Sequence, residues 1–232
     1  KIEFAEINQD GEVTIDEIEK KITSKTKIIA LTHLSNVTGA VLPIKEITEL
    51  AHSKGIPVLV DGCQSAPHIK LNMQDLNCDF YAISCHKMYG PTGLGILYAK
   101  KKWLEDLPPY QGGGGMIDWV KKDDIGYGDL PNKYEAGTMA TAQVIAFDES
   151  IKFINKIGIE NIEKHEEELI KYQDENGHVL VPVKHKTVDG FPLGKWVSRR
   201  RGDYKDTSST KVLTAERILQ LNNVGFVWEL GD

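Results

Sequence analysis

Arginine is missing from the first 176 of the 232 residues, and all four arginines, Arg199, Arg200, Arg201 and Arg217, lie beyond that point. The bidentate guanidinium is the usual clamp for a substrate carboxylate, and the body of the chain has none to offer. Cysteine is scarce as well. Cys63, Cys78 and Cys85 form no CxxC pair and leave an odd thiol, which excludes a disulfide framework or a zinc site and favours a reducing cytoplasm. The histidines do not show metal-ligand spacing. No stretch approaches the roughly 20 apolar residues of a membrane span, and no secretory signal is visible. With 41% hydrophobic and 27% charged residues, the chain reads as a soluble protein with one core and a small appendage. The formal charge is -6, unevenly spread: from Gly177 onward nine Lys and Arg outnumber six acids, so the body carries the acidic excess. Nucleic acid is disfavoured as a partner of the body and remains open for the tail.

The chemistry concentrates at the ends of apolar runs. Phe80-Tyr81-Ala82-Ile83 leads into Ser84-Cys85-His86-Lys87, followed by the glycine-punctuated turn Met88-Tyr89-Gly90-Pro91-Thr92-Gly93. A lysine at the mouth of a buried strand loses charge on burial, and a neutral amine can attack an aldehyde to form a Schiff base, which is how pyridoxal phosphate (PLP) is held. Alone, the same lysine reads as a surface residue after an edge strand. Pro57-Val58-Leu59-Val60 places Asp61 at a strand end, where open α/β sheets put their ligands. A carboxylate there can keep a pyridine nitrogen protonated, although it can also simply cap a turn. A third run, Lys27 to Leu31, enters the polar turn that holds Asn36 and ends at Gly39.

Together, Thr32-His33-Leu34-Ser35-Asn36-Val37-Thr38-Gly39, Val60-Asp61-Gly62-Cys63-Gln64-Ser65, Cys78-Asp79-Phe80-Tyr81, the segment Ser84 to Tyr98 and Tyr134-Glu135-Ala136-Gly137-Thr138 resemble the class V aminotransferase fold type, most closely the cysteine desulfurase and selenocysteine lyase family. The resemblance implies that Lys87 is the Schiff-base lysine, that Asp61 pairs with the pyridine nitrogen, and that Asn36 contacts the phenolic oxygen beside Gln64. It implies that Ser84 and His86 bind the phosphate and that Lys87, with His86, is catalytic. Thr138 is expected to reach the phosphate of a neighbouring subunit, which implies a homodimer. The implied substrate is L-cysteine or selenocysteine, the products alanine and a persulfide for iron-sulfur cluster assembly, and the partner a sulfur-acceptor protein. Cys63 and Cys85 flank the ring site where the family carries small residues, and read as packing residues more readily than as nucleophiles.

Taken in order, Ile2 to Ile7 is expected to be a strand, followed by a turn over Asn8 to Gly11 and a short helix capped by Asp16. By the resemblance, Lys1 falls inside the large domain. The glycine-threonine phosphate loop and the residue that stacks on the ring belong to the part before it. Pro43 to His52 has helical spacing, with Gly55 as a stop. His52 and His68 read as surface or capping residues, and His33 as structural. Gly93 to Ala99 is expected to be a buried strand, Lys100 to Lys102 a solvated helix start, and Pro108 to Ile117 a mobile loop. Two amphipathic helices follow, from about Thr141 to Lys156 and from about Ile159 to Tyr172.

From Gly177 the character turns basic and aromatic. One helix is expected around Leu193, Trp196 and Val197, and another around Ala215, Ile218, Leu219 and Leu221, before Gly225-Phe226-Val227-Trp228. These words, with Arg199-Arg200-Arg201 and Leu213-Thr214-Ala215-Glu216-Arg217, resemble the helicase-associated domain of bacterial helicases. The expected architecture is therefore an α/β domain over 1–172, a partial PLP-transferase large domain with a mixed, mainly parallel sheet and flanking helices, followed by a small all-α module over 177–232. In the family, the sulfur-accepting cysteine and the carboxylate-binding arginine belong to a C-terminal domain whose place the tail takes, so desulfurase turnover is expected to be impaired. The rival expectation is an inactive fusion whose tail binds nucleic acid.

Overall fold

The computed structural model describes residues 1–8 and 11–205. The expected helix at Ala215 to Leu221 and the closing segment Gly225 to Trp228 lie outside the described residues, as does part of the turn expected over Asn8 to Gly11. No helix among the described residues is long and apolar enough to cross a membrane.

The sheet is built from short apolar runs. Strands β1 (Ile29–Thr32), β2 (Val58–Asp61) and β3 (Phe80–Ser84) lie parallel and in that order, and β4 (Gly95–Ala99) adds antiparallel to β3 at the edge. The register sets Thr32 beside Asp61 and Asp61 beside Ala82, so the parallel strands all end at one rim. Helix α1 (Ile15–Lys21) precedes the sheet, and α2 (Ile44–Ser53) joins β1 to β2. Ile44, Ile47 and Ala51 recur at helical spacing on α2 and are buried, forming a core with Val58, Val60, Ile18 and Tyr81. Burying each such aliphatic side chain contributes about 1.5–3 kcal/mol. Helix α3 (Met73–Leu76) connects β2 to β3, and α4 (Lys101–Asp106) follows β4.

At the start of β3, Asp79 is fully buried. Its Oδ2 accepts from the Val58 amide at 2.9 Å and meets His52 Nε2 at 2.7 Å, while Oδ1 accepts from Trp103 Nε1 at 2.8 Å. Lys100 and Lys102 stand 3.7 and 3.6 Å from Oδ1. His52 is therefore a partner of a buried carboxylate rather than a surface histidine, and His68 is buried too. Lys100 and Lys102, expected as solvated, supply its countercharge.

Several other expectations are corrected. Residues 1–8 form no strand, and Ile2 and Phe4 remain 76% exposed; their alternation is real, but a strand needs a paired neighbour to hold it. The α1 N-cap is Thr14, whose hydroxyl accepts from the Glu17 amide, rather than Asp16, which lies within the first turn. Strand β4 is present but largely exposed along Gly95 to Leu97, because it is the sheet edge. The expected loop runs into a hairpin, β5 (Ile117–Lys121) and β6 (Asp124–Tyr127).

Helices α5 (Thr141–Ile157) and α6 (Ile159–Asn176) follow. Helix α6 continues past Tyr172 and ends at Gly177, whose φ of 72° provides the left-handed cap. Its C-terminal residues Leu169 and Tyr172 pack with Val179, Val181, Leu193 and Val197, joining it to α7 (Leu193–Lys205), the expected helix around Trp196. The side chains of Arg199 and Arg200 are not among those described.

Candidate active site

The rim where β1, β2 and β3 end gathers most of the chemistry-bearing residues. Asp61 closes β2, exposed, and its Oδ1 accepts from the Cys63 amide at 3.0 Å. The chain then turns through buried Gly62, Gln64 and Ser65. Gly62 is required there, since a Cβ at that position would lie 1.8 Å from the Tyr81 ring.

Beyond β3 the backbone tightens into a 3-10 turn over Cys85–Met88 that carries His86 and Lys87. Ser84 Oγ lies 2.9 Å from His86 Nδ1, pairing a hydroxyl with an imidazole at the turn's entrance. Lys87 is half-buried, and its charge acts on the Cys63 thiol alongside Asp61, so lysine, carboxylate and thiol share one electrostatic neighbourhood. Burial first, and then the Asp61 carboxylate, push that thiol up to about 11 against the opposing pull of Lys87. Cys63 is thus a neutral thiol near neutral pH, and Cys85 is buried with its thiol raised for the same first reason.

Helix α5 buttresses the turn. Tyr89 leaves it at φ 60°, its carbonyl accepts from Ser150 Oγ at 3.0 Å, and its ring meets Phe153 edge-on at 5.5 Å. At Gly90 a Cβ would lie 2.6 Å from the Phe147 ring and 2.7 Å from the Cys85 carbonyl. The turn bearing Lys87 is therefore clamped between the sheet and α5.

Asn36 sits in the exposed turn after β1, shaped by Ser35 Oγ accepting from the Val37 and Thr38 amides at 3.2 and 3.1 Å. Thr138 belongs to a different element, exposed just before α5, next to Gly137, whose amide donates to the Gly114 carbonyl at 2.8 Å. That bond ties the glycine-rich segment to the stretch that carries Thr138. Lys133 and Tyr134 are anchored to the end of α4, the tyrosine hydroxyl donating to the Leu104 and Leu107 carbonyls at 2.9 and 2.7 Å.

The donor set at the rim fits PLP. It offers a primary amine for an aldehyde, a carboxylate for a ring nitrogen, a buried amide, and a hydroxyl-imidazole pair for a phosphate. Beneath the rim lies a feature the sequence did not disclose: His33, Tyr81 and Ser65 form a buried polar chain. Its only sequence signal was a tyrosine in an otherwise apolar run.

Residues 1–176 match the family model described as aminotransferase class-V, and residues 161–229 match the one described as helicase associated domain. A probable cysteine desulfurase of Halalkalibacterium halodurans is 49% identical over 169 residues, 73% of this chain and 42% of that protein. Among solved structures, the cysteine desulfurase CsdA of Escherichia coli shares 36% identity at a TM-score of 0.69, over 76% of this chain and 44% of that one. A C-DES mutant with glycine covalently linked to its PLP cofactor shares 26% identity at a TM-score of 0.61, over 77% of this chain and 48% of that one. The chain spans less than half the length of these relatives.

Proposed function

The chain belongs to the aminotransferase class-V family, and from that premise we propose that it is a PLP-dependent, cysteine desulfurase-like protein. The observation that carries this reading is the convergence of Lys87, Asp61 and the Ser84-His86 pair at one sheet rim, on a turn clamped by α5. When bound, PLP supplies an electron sink for the substrate's α-carbon. Lys87 would be the covalent anchor, and its amine would be the base that takes the proton from that carbon. Asp61, held by the Cys63 amide, keeps the ring nitrogen protonated. Asn36 and Gln64 bind the phenolic oxygen, and Ser84 and His86 hold the phosphate, His86 with its Nδ1 fixed by the serine. Thr138 completes the phosphate site of a second subunit in a homodimer.

The substrate is L-cysteine, with selenocysteine as the heavier analogue. The acceptor thiol gives up its proton and attacks the cysteine sulfur, and the carbon-sulfur bond breaks so that the sulfur leaves as a persulfide. Alanine forms as its β-carbon and α-carbon each take up one proton, the two being the α-proton first removed and the proton released by the thiol. That persulfide serves a sulfur-acceptor protein and iron-sulfur cluster assembly in the cytoplasm. The described residues supply no acceptor thiol for this step: Cys78 and Cys85 are buried, and Cys63 is held neutral. Turnover by this chain alone is accordingly expected to be weak, while cofactor binding is expected to persist.

The test is the visible spectrum with added PLP, run beside Lys87→Ala. A lysine-dependent band removed by borohydride supports the reading; identical free-PLP spectra for both proteins refute it. The helicase-associated match over residues 161–229 supports a second reading, in which the C-terminal part of the chain binds nucleic acid. Binding that weakens steeply with salt and falls in the double variant Arg199→Ala, Arg200→Ala supports it, and absence of binding at low salt refutes it.

A further inference from the structure

Under the rim, one buried phenol on β3 touches the segments that follow β1 and β2. Tyr81 is fully buried on β3. Its hydroxyl lies 2.9 Å from His33 Nδ1, just past the end of β1, and 2.6 Å from Ser65 Oγ, in the turn after β2. Ser65 Oγ in turn donates to the Gly62 carbonyl at 3.2 Å, and the Tyr81 ring fills the space a Gly62 side chain would need. The His33 amide donates to the Asp61 carbonyl at 2.9 Å, and the Gly62 amide to the Ala82 carbonyl at 2.9 Å.

The donors can be assigned from this chain of contacts. Ser65 has one hydroxyl hydrogen, and it goes to the Gly62 carbonyl. Tyr81 must then donate to Ser65 Oγ, and His33 must donate from Nδ1 to the phenol oxygen. Burial raises the phenol's pKa, which keeps Tyr81 a neutral donor, and lowers that of His33, which favours the neutral ring. Every hydrogen of the relay is used in one direction, ending on the carbonyl of the residue that follows Asp61.

We propose that Tyr81, with His33 and Ser65, is a positioning unit that fixes the Asp61-Gly62 turn and thereby sets where the Asp61 carboxylate meets the cofactor ring. This rests on the PLP reading above. The three side chains stand beneath the site and act through backbone. The relay ties the segments that follow β1 and β2 to β3, and a displacement of the Asp61-Gly62 turn would move Asp61 relative to Lys87 on the turn that follows β3.

The test compares the wild-type chain with Tyr81→Phe and Ser65→Ala in two stages. Without PLP, amide hydrogen exchange at Gly62 and Cys63 is expected to rise about tenfold in each variant, the loss of one buried hydrogen bond. With PLP, the apparent dissociation constant is expected to rise about tenfold, and the pH midpoint of the lysine-dependent band to shift, because Asp61 no longer meets the ring nitrogen in the same place. The double variant is expected to be no worse than Tyr81→Phe alone, since both substitutions cut one relay. Unchanged exchange overturns the proposal, and so does raised exchange with unchanged PLP affinity and band. A wild-type protein that takes no PLP overturns the reading beneath it, while the exchange data still decide whether the relay holds the turn. If Tyr81→Phe does not fold, Ser65→Ala, which leaves the Tyr81 phenol in place, decides the question alone.

Discussion

Replacing Asp79 with asparagine removes a charge without removing volume, and the surroundings fix what that costs. The carboxylate accepts from Trp103 on one oxygen and meets the Val58 amide and His52 on the other, with two lysines near the first. An asparagine offers one oxygen and one amino group, so whichever way it turns, an amino group faces at least one buried donor. An orphaned buried donor costs about 1–3 kcal/mol, and neutralising one member of a buried charged set about 3–5 kcal/mol, so a loss near 3 kcal/mol is expected. The carboxyl's titration gives a second figure. Burial alone would raise its pKa, but the hydrogen bonds from Trp103, His52 and Val58 and the charge of Lys100 outweigh that and bring it from 3.8 to about 2. That preference for the charged form is worth roughly 2 kcal/mol. The unfolded chain takes up its proton near pH 4 and the folded chain only near pH 2, so this stabilisation is complete above pH 4 and fades as the pH falls to 2. Urea unfolding of wild type and Asp79→Asn from pH 7 down to pH 2 measures both quantities. The variant is expected to be less stable by about 3 kcal/mol at pH 7, with the gap shrinking by roughly 2 kcal/mol between pH 4 and pH 2. A gap that stays constant with pH, or that never exceeds about 0.5 kcal/mol, refutes the assignment of Asp79 as a charged buried hub.

Two further outcomes concern Cys63. With its thiol pushed from 9.0 to about 11, its thiolate population at pH 8 is about a hundredfold below that of an unperturbed thiol, so its alkylation by iodoacetamide is expected to be slow and to keep accelerating up to about pH 11. In Lys87→Ala the charge that favours the thiolate is gone, and the reaction is expected to slow further; a rate that levels off near pH 9, or that rises in the lysine variant, contradicts the shared neighbourhood of lysine, carboxylate and thiol.

The parts of this molecule that could be read from the chain are those where one local signal is enough. Val58 to Val60 and Phe80 to Ile83 are short apolar runs that end at polar residues, and α2 repeats its apolar face at 44, 47 and 51. Asp61 and Ser84 stood out because each follows directly on such a run, and Lys87 because it lies in the short turn just beyond; a parallel sheet delivers the residues after its strands to one rim. The β5-β6 hairpin escaped notice because its turn, Lys122-Asp123, lacks the glycine or asparagine that marks a two-residue hairpin. The length of α6 escaped for a related reason: Asp174-Glu175-Asn176 is polar enough to suggest a linker, yet it completes a helix whose apolar residues are held by Leu193 and Val197 farther along.

The buried polar residues were illegible for a stronger reason. Tyr81 meets His33 across a sequence separation of 48, and Asp79 meets Val58, Trp103 and His52 across 21, 24 and 27. No window short enough to show a strand or helix period contains both partners of any of these bonds. Taken alone, an aspartate opening a strand looks like a solvated boundary residue, and a tyrosine within one looks like apolar filling. Only the sheet, by placing β1, β2 and β3 side by side, turns these residues into one relay under the rim and one hub at its opposite end. The residues expected to touch a ligand are therefore local features of the chain, whereas those that hold them in place are products of topology. This is why the proposed positioning role of Tyr81 could be formulated only after the strands were aligned, and why its decisive measurement is the exchange of backbone amides in the turn that follows the neighbouring strand.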